Sequence, residues 1–444
     1  MSLRKLLLAS MCTATVASFA QINAEQPAPD IAVDHGHKTI YFGEGSSASG
    51  SAAEAARQEL MGKFYFDQFR HAHDPLAPYF MFMSKDSRLA LGIGGQFNAI
   101  GYYDWNGTIN DNGFVTFEIP MVRDNTQRHR IGATASQSKL FMRLFGKSDR
   151  FGWYQLYISA KFSGGGMNGY GFKLDKAYAS IGDWTLGYAN TTFSDPAACP
   201  NTVDPQGPNA EISETTMLLR YMHTFKGNRW SVAASVEAPN DQVPDYVGIA
   251  SACNAFMPDV AAFAQYQWAD GLYHIRLSGI IRGLEYRNEV AAGNHRTIGW
   301  GAHLSTVADP LPATRFYGSI NVGKGIASLN NDLQCSSRGL DMLPDVETPG
   351  SMRAPTSLAW YAALQYNFRP DLYSTVMFSE VRLYPGDVQN DGLYKYGLYG
   401  AANIFWNPTS RLLLGAEYDF GARKNLGGDR RWVNRIGLTC QYSF

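Results

Sequence analysis

The chain has 444 residues, a formal net charge of -1, 17% charged and 13% aromatic residues, and 44 glycines. Near neutrality argues against a nucleic-acid partner held by a basic surface, and so few charges argue against an ordinary soluble domain, where about 25% is usual. Length alone would call for two or more soluble domains; one large barrel, whose size scales with strand number, is the exception.

Residues 1–24 read as an export signal: Arg4 and Lys5 form a charged start, Leu6 to Val16 an apolar stretch, and cleavage is expected after Ala20 or Ala24. That stretch is too short to span a bilayer, which takes roughly 20 residues, and Cys12 reads as filling within it. No later run is long and apolar enough to cross as a helix, so secretion or a closed β-barrel remains.

Residues 25–87 form a second region, a periplasmic linker and short helix. Ala28 to Gly50 is rich in Gly, Ser and His and reads as a linker. Ala52 to His73 carries helix-forming residues and is stopped by Asp74-Pro75. It reads as a short surface helix or an oligomerisation helix, with too few heptads for a coiled coil. The histidines of His35-Gly36-His37 and His71-Ala72-His73 read as exposed linker and helix-end residues, and neither a metal nor a cofactor is expected.

From Arg88 to Phe444 the period is two. Leu412, Leu414, Ala416, Tyr418 and Phe420 alternate with Arg411, Gly415, Glu417, Asp419 and Gly421; Ile436, Leu438, Cys440 and Tyr442 alternate with Arg435, Gly437, Thr439 and Gln441. One apolar and one hydrated face fit a lipid-facing wall around a wet lumen. Trp153, Trp184, Trp230, Trp268, Trp406 and Trp432 sit at segment ends, where interfacial girdles belong. Connections alternate short and long. Seven short ones, such as Gly182–Trp184 and Arg369–Asp371, and eight longer ones, such as Asn106–Thr126 and Thr191–Ser213, imply about sixteen strands with both ends on the short-turn, periplasmic side. The fold class is therefore all-β: a transmembrane antiparallel barrel of about 16 strands behind a short helical segment. Gly92-Ile93-Gly94-Gly95 lies inside a strand and lacks the helix of a nucleotide loop, so it reads as relief of curvature.

At this size side chains cannot fill the lumen, so something must narrow it. Thr191 to Ser213 holds Asp195, Asp204 and Glu211 and no Lys or Arg, and is the expected constriction loop. Alternation turns Arg143, Lys161, Arg220, Arg276, Arg282 and Arg435 into the lumen, with Arg315, Arg382 and Arg411, against the acids Asp175, Glu380, Glu417 and Asp419. A basic wall facing an acidic loop would set up a transverse field that orients solutes.

Gly182-Asp183-Trp184-Thr185-Leu186-Gly187, then Phe193-Ser194-Asp195-Pro196, Asp204 and Gly207-Pro208-Asn209, resembles the DcaP-like trimeric porins. So does Leu219-Arg220-Tyr221 followed by Val232 to Glu237, and Phe444 resembles the terminal signature of outer-membrane barrels. The resemblance implies a homotrimeric diffusion porin of a Gram-negative outer membrane, embedded in its lipid, with the third outer loop folded inward and a preference for small anions such as dicarboxylates. The N-terminal helix is shorter than that family's coiled coil, and the outer loops carry extra cysteines.

Cys199, Cys253, Cys335 and Cys440 follow the signal; export favours a disulfide, and Cys199–Cys253 is the expected pair, although connectivity is not fixed by sequence. Cys440 is expected to face lipid. Neither G-x-S-x-G nor HExxH occurs. The expected function is passive diffusion of small hydrophilic solutes, not catalysis; the alternatives are a barrel acting as hydrophobic-solute transporter, adhesin or embedded hydrolase, and a secreted soluble carbohydrate binder.

Overall fold

The computed structural model describes residues 38–42, 51–70, 72–73, 80–109, 111, 113–164, 169–337, 339–345, 347–386, 388 and 390–444. The signal, most of the linker, His35, His37, His71 and Asp74 lie outside them.

Sixteen antiparallel strands close into a barrel. They are β1 (Leu89–Trp105), β2 in two pieces (His129–Thr134 and Lys139–Ser148), β3 (Gly152–Lys161), β4 (Lys173–Ile181), β5 (Trp184–Asn190), β6 (Thr215–Thr224), β7 (Trp230–Glu237), β8 (Asp259–Trp268), β9 (Tyr273–Asn288), β10 (Gly293–Ala308), β11 (Thr314–Lys324), β12 (Thr356–Arg369), β13 (Leu372–Tyr384), β14 (Tyr394–Thr409), β15 (Leu412–Asn425) and β16 (Arg430–Ser443). Each pairs with the next, and β16 closes on β1 from Asn434↔Trp105 to Ser443↔Gln96. Closure leaves no sheet edge, which a lipid environment requires. Gly95 exchanges two main-chain hydrogen bonds with Phe444 at 2.7 and 2.9 Å. A Cβ at Gly95 would lie 2.6 Å from the Phe444 ring, so the glycine admits that ring at the seam.

Alternation sets the two faces. On β9, His274, Arg276, Ser278, Ile280 and Arg282 are buried while Ile275, Leu277 and Ile281 are exposed. On β8, Asp259, Ala261, Phe263, Gln265 and Gln267 point in, and Val260 and Tyr266 point out. The outward face is apolar almost throughout, with Leu186, Leu219, Val236, Leu364 and Leu438 all exposed. Trp184, Trp230, Trp406 and Trp432 stand on it, and so does Cys440. Short turns join strands at one end. In the β6–β7 turn Gly227 and Asn228 both have positive φ, at 87° and 52°, the backbone such hairpins need. The eight longer connections all lie at the other end.

Three of those connections fold inward. Residues 106–128 contribute Ile109, Phe114 and Ile119 to a buried cluster; 191–214 contribute Ala198 and Ala210; 325–355 contribute Ala327, Leu333, Leu340 and Leu343. Between strands at this end the lumen is therefore a packed core.

The short-turn end is entered by the N-terminal segment. Helix α1 (Ser51–Tyr65) is shorter than the expected 52–73 span. It stops because the Asp67 carboxylate accepts hydrogen bonds from the Phe69 and Arg70 N–H groups at 3.0 and 3.3 Å, a local turn that competes with helix. Phe66–Asp67 then pairs antiparallel with Ala72–His73. Leu60 and Phe64 are buried against Met81, Met83, Ala90 and Phe145. Met81 and Met83 belong to a strand, Phe80–Ser84, which pairs with the start of β1 and carries Lys38–Phe42 in parallel on its other edge.

Candidate functional site: the lumen and its two constrictions

All six basic residues expected on the inner wall point inward. Arg143, Arg220, Arg276, Arg282 and Arg435 are buried, and Lys161 is half-buried. Arg282 donates to Asp259 at 3.0 Å, to the Gly325 carbonyl at 3.1 Å and to Ser328 Oγ at 2.9 Å, and so ties the 325–355 connection to the wall. Arg435 makes a bidentate pair with Asp104 at 2.6 and 2.9 Å. Lys161 shares Asp175 with Lys139, at 3.2 and 2.8 Å.

Glu380 and Arg382 do not face the lumen, contrary to expectation. On β13 Met377, Ser379, Val381 and Leu383 are the buried, inward set, so Glu380 and Arg382 stand on the outer face, where Arg382 Nε donates to Glu380 at 2.8 Å. Arg315 points inward and pairs with Asp309 at 3.1 Å. Arg411 lies in the turn before β15.

The inner loop, 191–214, crosses the lumen and touches β9 to β15. Asp195 is fully enclosed. Its Oδ2 meets His274 Nε2 at 2.8 Å and accepts from Ser305 at 2.6 Å, and its Oδ1 lies 3.4 Å from Arg276 Nη1. Burial alone would raise this carboxyl, but the Arg276 and His274 charges hold it well below the usual carboxylate range. Tyr361 donates to the Ala198 carbonyl at 3.1 Å and Asn321 to the Ala210 carbonyl at 3.0 Å, fixing the middle of the loop. Asp204 makes no direct contact with the basic wall, although Arg435 is near enough to favour its charged form. Its N–H donates to Glu417 at 2.6 Å, and its Oδ1 accepts from the Phe114 N–H at 2.8 Å. Burial pushes its carboxyl up. Glu211 faces the Cys199 thiol at 3.6 Å; burial, with Asp195 nearby, raises it to about 7. Of the three acids expected to oppose the basic wall, only Asp195 does so directly.

The expected Cys199–Cys253 bridge is not formed, and all four described cysteines are unbridged. The inward fold of the loop carries Cys199 into the lumen, whereas the Cys253 N–H is bonded to the Glu285 carbonyl on β9.

The second constriction lies outside the expected site. Phe69 inserts among Met222, Ala233 and Phe263. The Arg220 and Arg276 guanidinium carbons stand 4.0 and 5.0 Å from its ring centroid, within cation–π range. Arg276 Nη2 donates to the Phe69 carbonyl at 2.9 Å, Arg143 Nη1 to the Phe64 carbonyl at 2.7 Å, and Gln68 Nε2 to the Met222 carbonyl at 3.3 Å. Asp67 is half-buried nearby; desolvation raises its carboxyl, but Arg70, Lys176 and Arg143 together hold it below the usual range. Trp153, expected in the outer girdle, instead stacks on Phe145 with Lys63 and Lys147 over its ring. Beyond Phe69 an open vestibule of about 360 Å³ is lined by Lys63, Asp67, Trp153, Tyr178 and Arg220. The sequence signal for this plug was the density of Phe64-Tyr65-Phe66-Asp67-Gln68-Phe69, four aromatics in an otherwise polar region.

Among the described residues no cluster of His, Cys, Asp and Glu could hold a metal ion. No protein-family model matches the chain, and no curated protein matches it by sequence. Solved structures do. The outer membrane channel DcaP of Acinetobacter baumannii superposes with a TM-score of 0.68 at 19% identity, over 81% of this chain and 98% of its own. An anion-selective porin from Comamonas acidovorans matches with a TM-score of 0.51 at 10% identity, over 80% of this chain and 100% of its own. The fold is thus that of outer-membrane porins, and the resemblance read from the sequence holds at the level of the fold.

Proposed function

We propose that this barrel lies in a Gram-negative outer membrane, short turns toward the periplasm, and passes small hydrophilic solutes by diffusion with a preference for anions. The observation that carries the preference is the inward series Arg143, Arg220 and Arg276. These guanidinium groups hold the Phe64, Asn190, Ser194 and Phe69 carbonyls at 2.7 to 3.2 Å. Carbonyl oxygens accept from these donors without a formal charge of their own, and Asp195, 3.4 Å from Arg276, offsets part of that guanidinium's charge. With Lys139, Lys161 and Lys176 close by, the cations of this half of the lumen outnumber the carboxylates Asp67, Asp175, Asp195 and Glu237. A passing carboxylate meets a positive potential and donors already spaced for oxygen.

The same contacts make Phe64–Phe69 an internal plug that opening must displace. The resemblance to DcaP-like porins adds the expectation of three copies per assembly. Planar-bilayer recording of the detergent-purified chain under a KCl gradient tests the reading. Stepwise ohmic conductance reversing on the chloride side supports it, and triplet steps support the trimer. Silence from folded protein, or reversal on the potassium side, refutes it.

A further inference from the structure

At the long-loop end, four adjacent strands place one residue each in a single outward row. Arg382 is level with Tyr396, Tyr396 with Lys424, and Lys424 with Arg430. The row faces outward because Val381, Leu383, Tyr399, Asn425 and Val433 take the buried positions of the alternation. With strands about 4.8 Å apart it runs roughly 15 Å along the rim. One step toward the middle of the barrel the outward positions hold Glu380, Leu398 and Trp432 around a covered Ala422, followed by Phe378 and Phe420.

The charges in this row are unequally satisfied. Arg382 is held by Glu380 at 2.8 Å and lies 5.0 Å from the Tyr396 ring centroid. Lys424 and Arg430 have no side-chain hydrogen bond or ion pair with any described residue, yet they are direct cross-strand neighbours, an arrangement that disfavours the sheet. Asp391 and Asp429, in the turns above, do not pair with either. Two other outward cations on this rim are neutralised: Arg296 by Glu285 at 2.9 Å and Arg287 by Glu289 at 3.8 Å.

We propose that Lys424 and Arg430, with Tyr396 beside them, bind the phosphate of an anionic lipid in the outer leaflet, its acyl chains lying along Leu398, Trp432 and Phe420. An ammonium and a guanidinium side by side supply charge-assisted donors to one phosphate and relieve their mutual repulsion. The apolar strip directly below is where chains hanging from that phosphate would run. This inference rests on the outer-membrane reading.

The test uses the full-length chain in phosphatidylcholine vesicles doped with diphosphoryl lipid A. After detergent extraction and gel filtration, native mass spectrometry counts the lipid A retained. The wild type should retain it, and the Lys424→Gln/Arg430→Gln double variant should bind it about thirtyfold more weakly. Lys424→Arg should retain it, as should Arg287→Gln/Arg296→Gln at the neutralised part of the rim. Equal retention by the double variant overturns the proposal. So does loss of assembly without loss of lipid, which would assign the row to a contact between copies, or full competition by inorganic phosphate, which would make it an ion site. Failure of the wild type to enter vesicles would instead defeat the outer-membrane reading itself.

Discussion

Replacing Phe69 by alanine should open the short-turn end. The ring is only 9% exposed and is packed among Met222, Ala233 and Phe263 under two guanidinium groups. Truncating such a ring costs about 3–5 kcal/mol, and each cation–π contact is worth about 0.5–2 kcal/mol, part of it within the first figure. A loss of about 4 kcal/mol lowers the ratio of docked to displaced segment about a thousandfold. The carbonyl contacts to Arg143 and Arg276 come from main chain and survive the change, so the barrel keeps its wall. Single-channel recording should show the wild type resting mostly at a low level and Phe69→Ala mostly at a higher one. Identical traces from two preparations with the same heat-modifiable gel mobility would refute the plug.

The remaining expectations concern the wall and the inner loop. Arg143→Gln with Arg220→Gln should move the reversal potential away from the chloride side, measured under the same salt gradient. Asp195→Asn leaves Arg276 buried without its carboxylate, a loss of about 3–5 kcal/mol for broken buried pairs; limited proteolysis should then cut within 191–214 faster than in the wild type. Glu211 is raised from 4.5 to about 7, so its contribution to loop docking is complete below about pH 4.5 and is lost as pH rises through 7. Cleavage in the loop should accelerate from acid to mildly alkaline solution, and Glu211→Gln should flatten that profile. Alkylation of the unfolded, unreduced chain should modify Cys199, Cys253, Cys335 and Cys440 alike; protection of any pair would contradict the unbridged arrangement.

The barrel was legible because lipid and water impose opposite demands on alternate residues, and because turn lengths alternate with strand direction. β15 and β16 show this in sequence and keep it in structure. β13 does not, and the reason is physical. Its inner residues Met377, Val381 and Leu383 pack against connections folded into the lumen, so its inward face is the more apolar one. Polarity there points the wrong way, which is why Glu380 and Arg382 read as lumenal from sequence alone. The inner loop was legible from its length and acidity, but its partners were not. Asp204 lies beside Glu417 because Phe114, from a different connection, fixes its carboxylate. The aromatic run at 64–69 marks the plug, but its seat was illegible for a related cause: Phe69 is held by Met222, Phe263 and two arginines more than a hundred residues away in sequence, and no local pattern encodes such a meeting.

Arg276 gives the two constrictions a common keystone. Its Nη1 donates to the Ser194 carbonyl at 3.0 Å beside Asp195, its Nη2 to the Phe69 carbonyl at 2.9 Å, and its Nε to Gln265 at 2.7 Å. One rigid fork thus grips the inner loop with one prong and the plug with the other, and neither can let go without changing how tightly the other is held. Phe69→Ala and Asp195→Asn will therefore not add when combined.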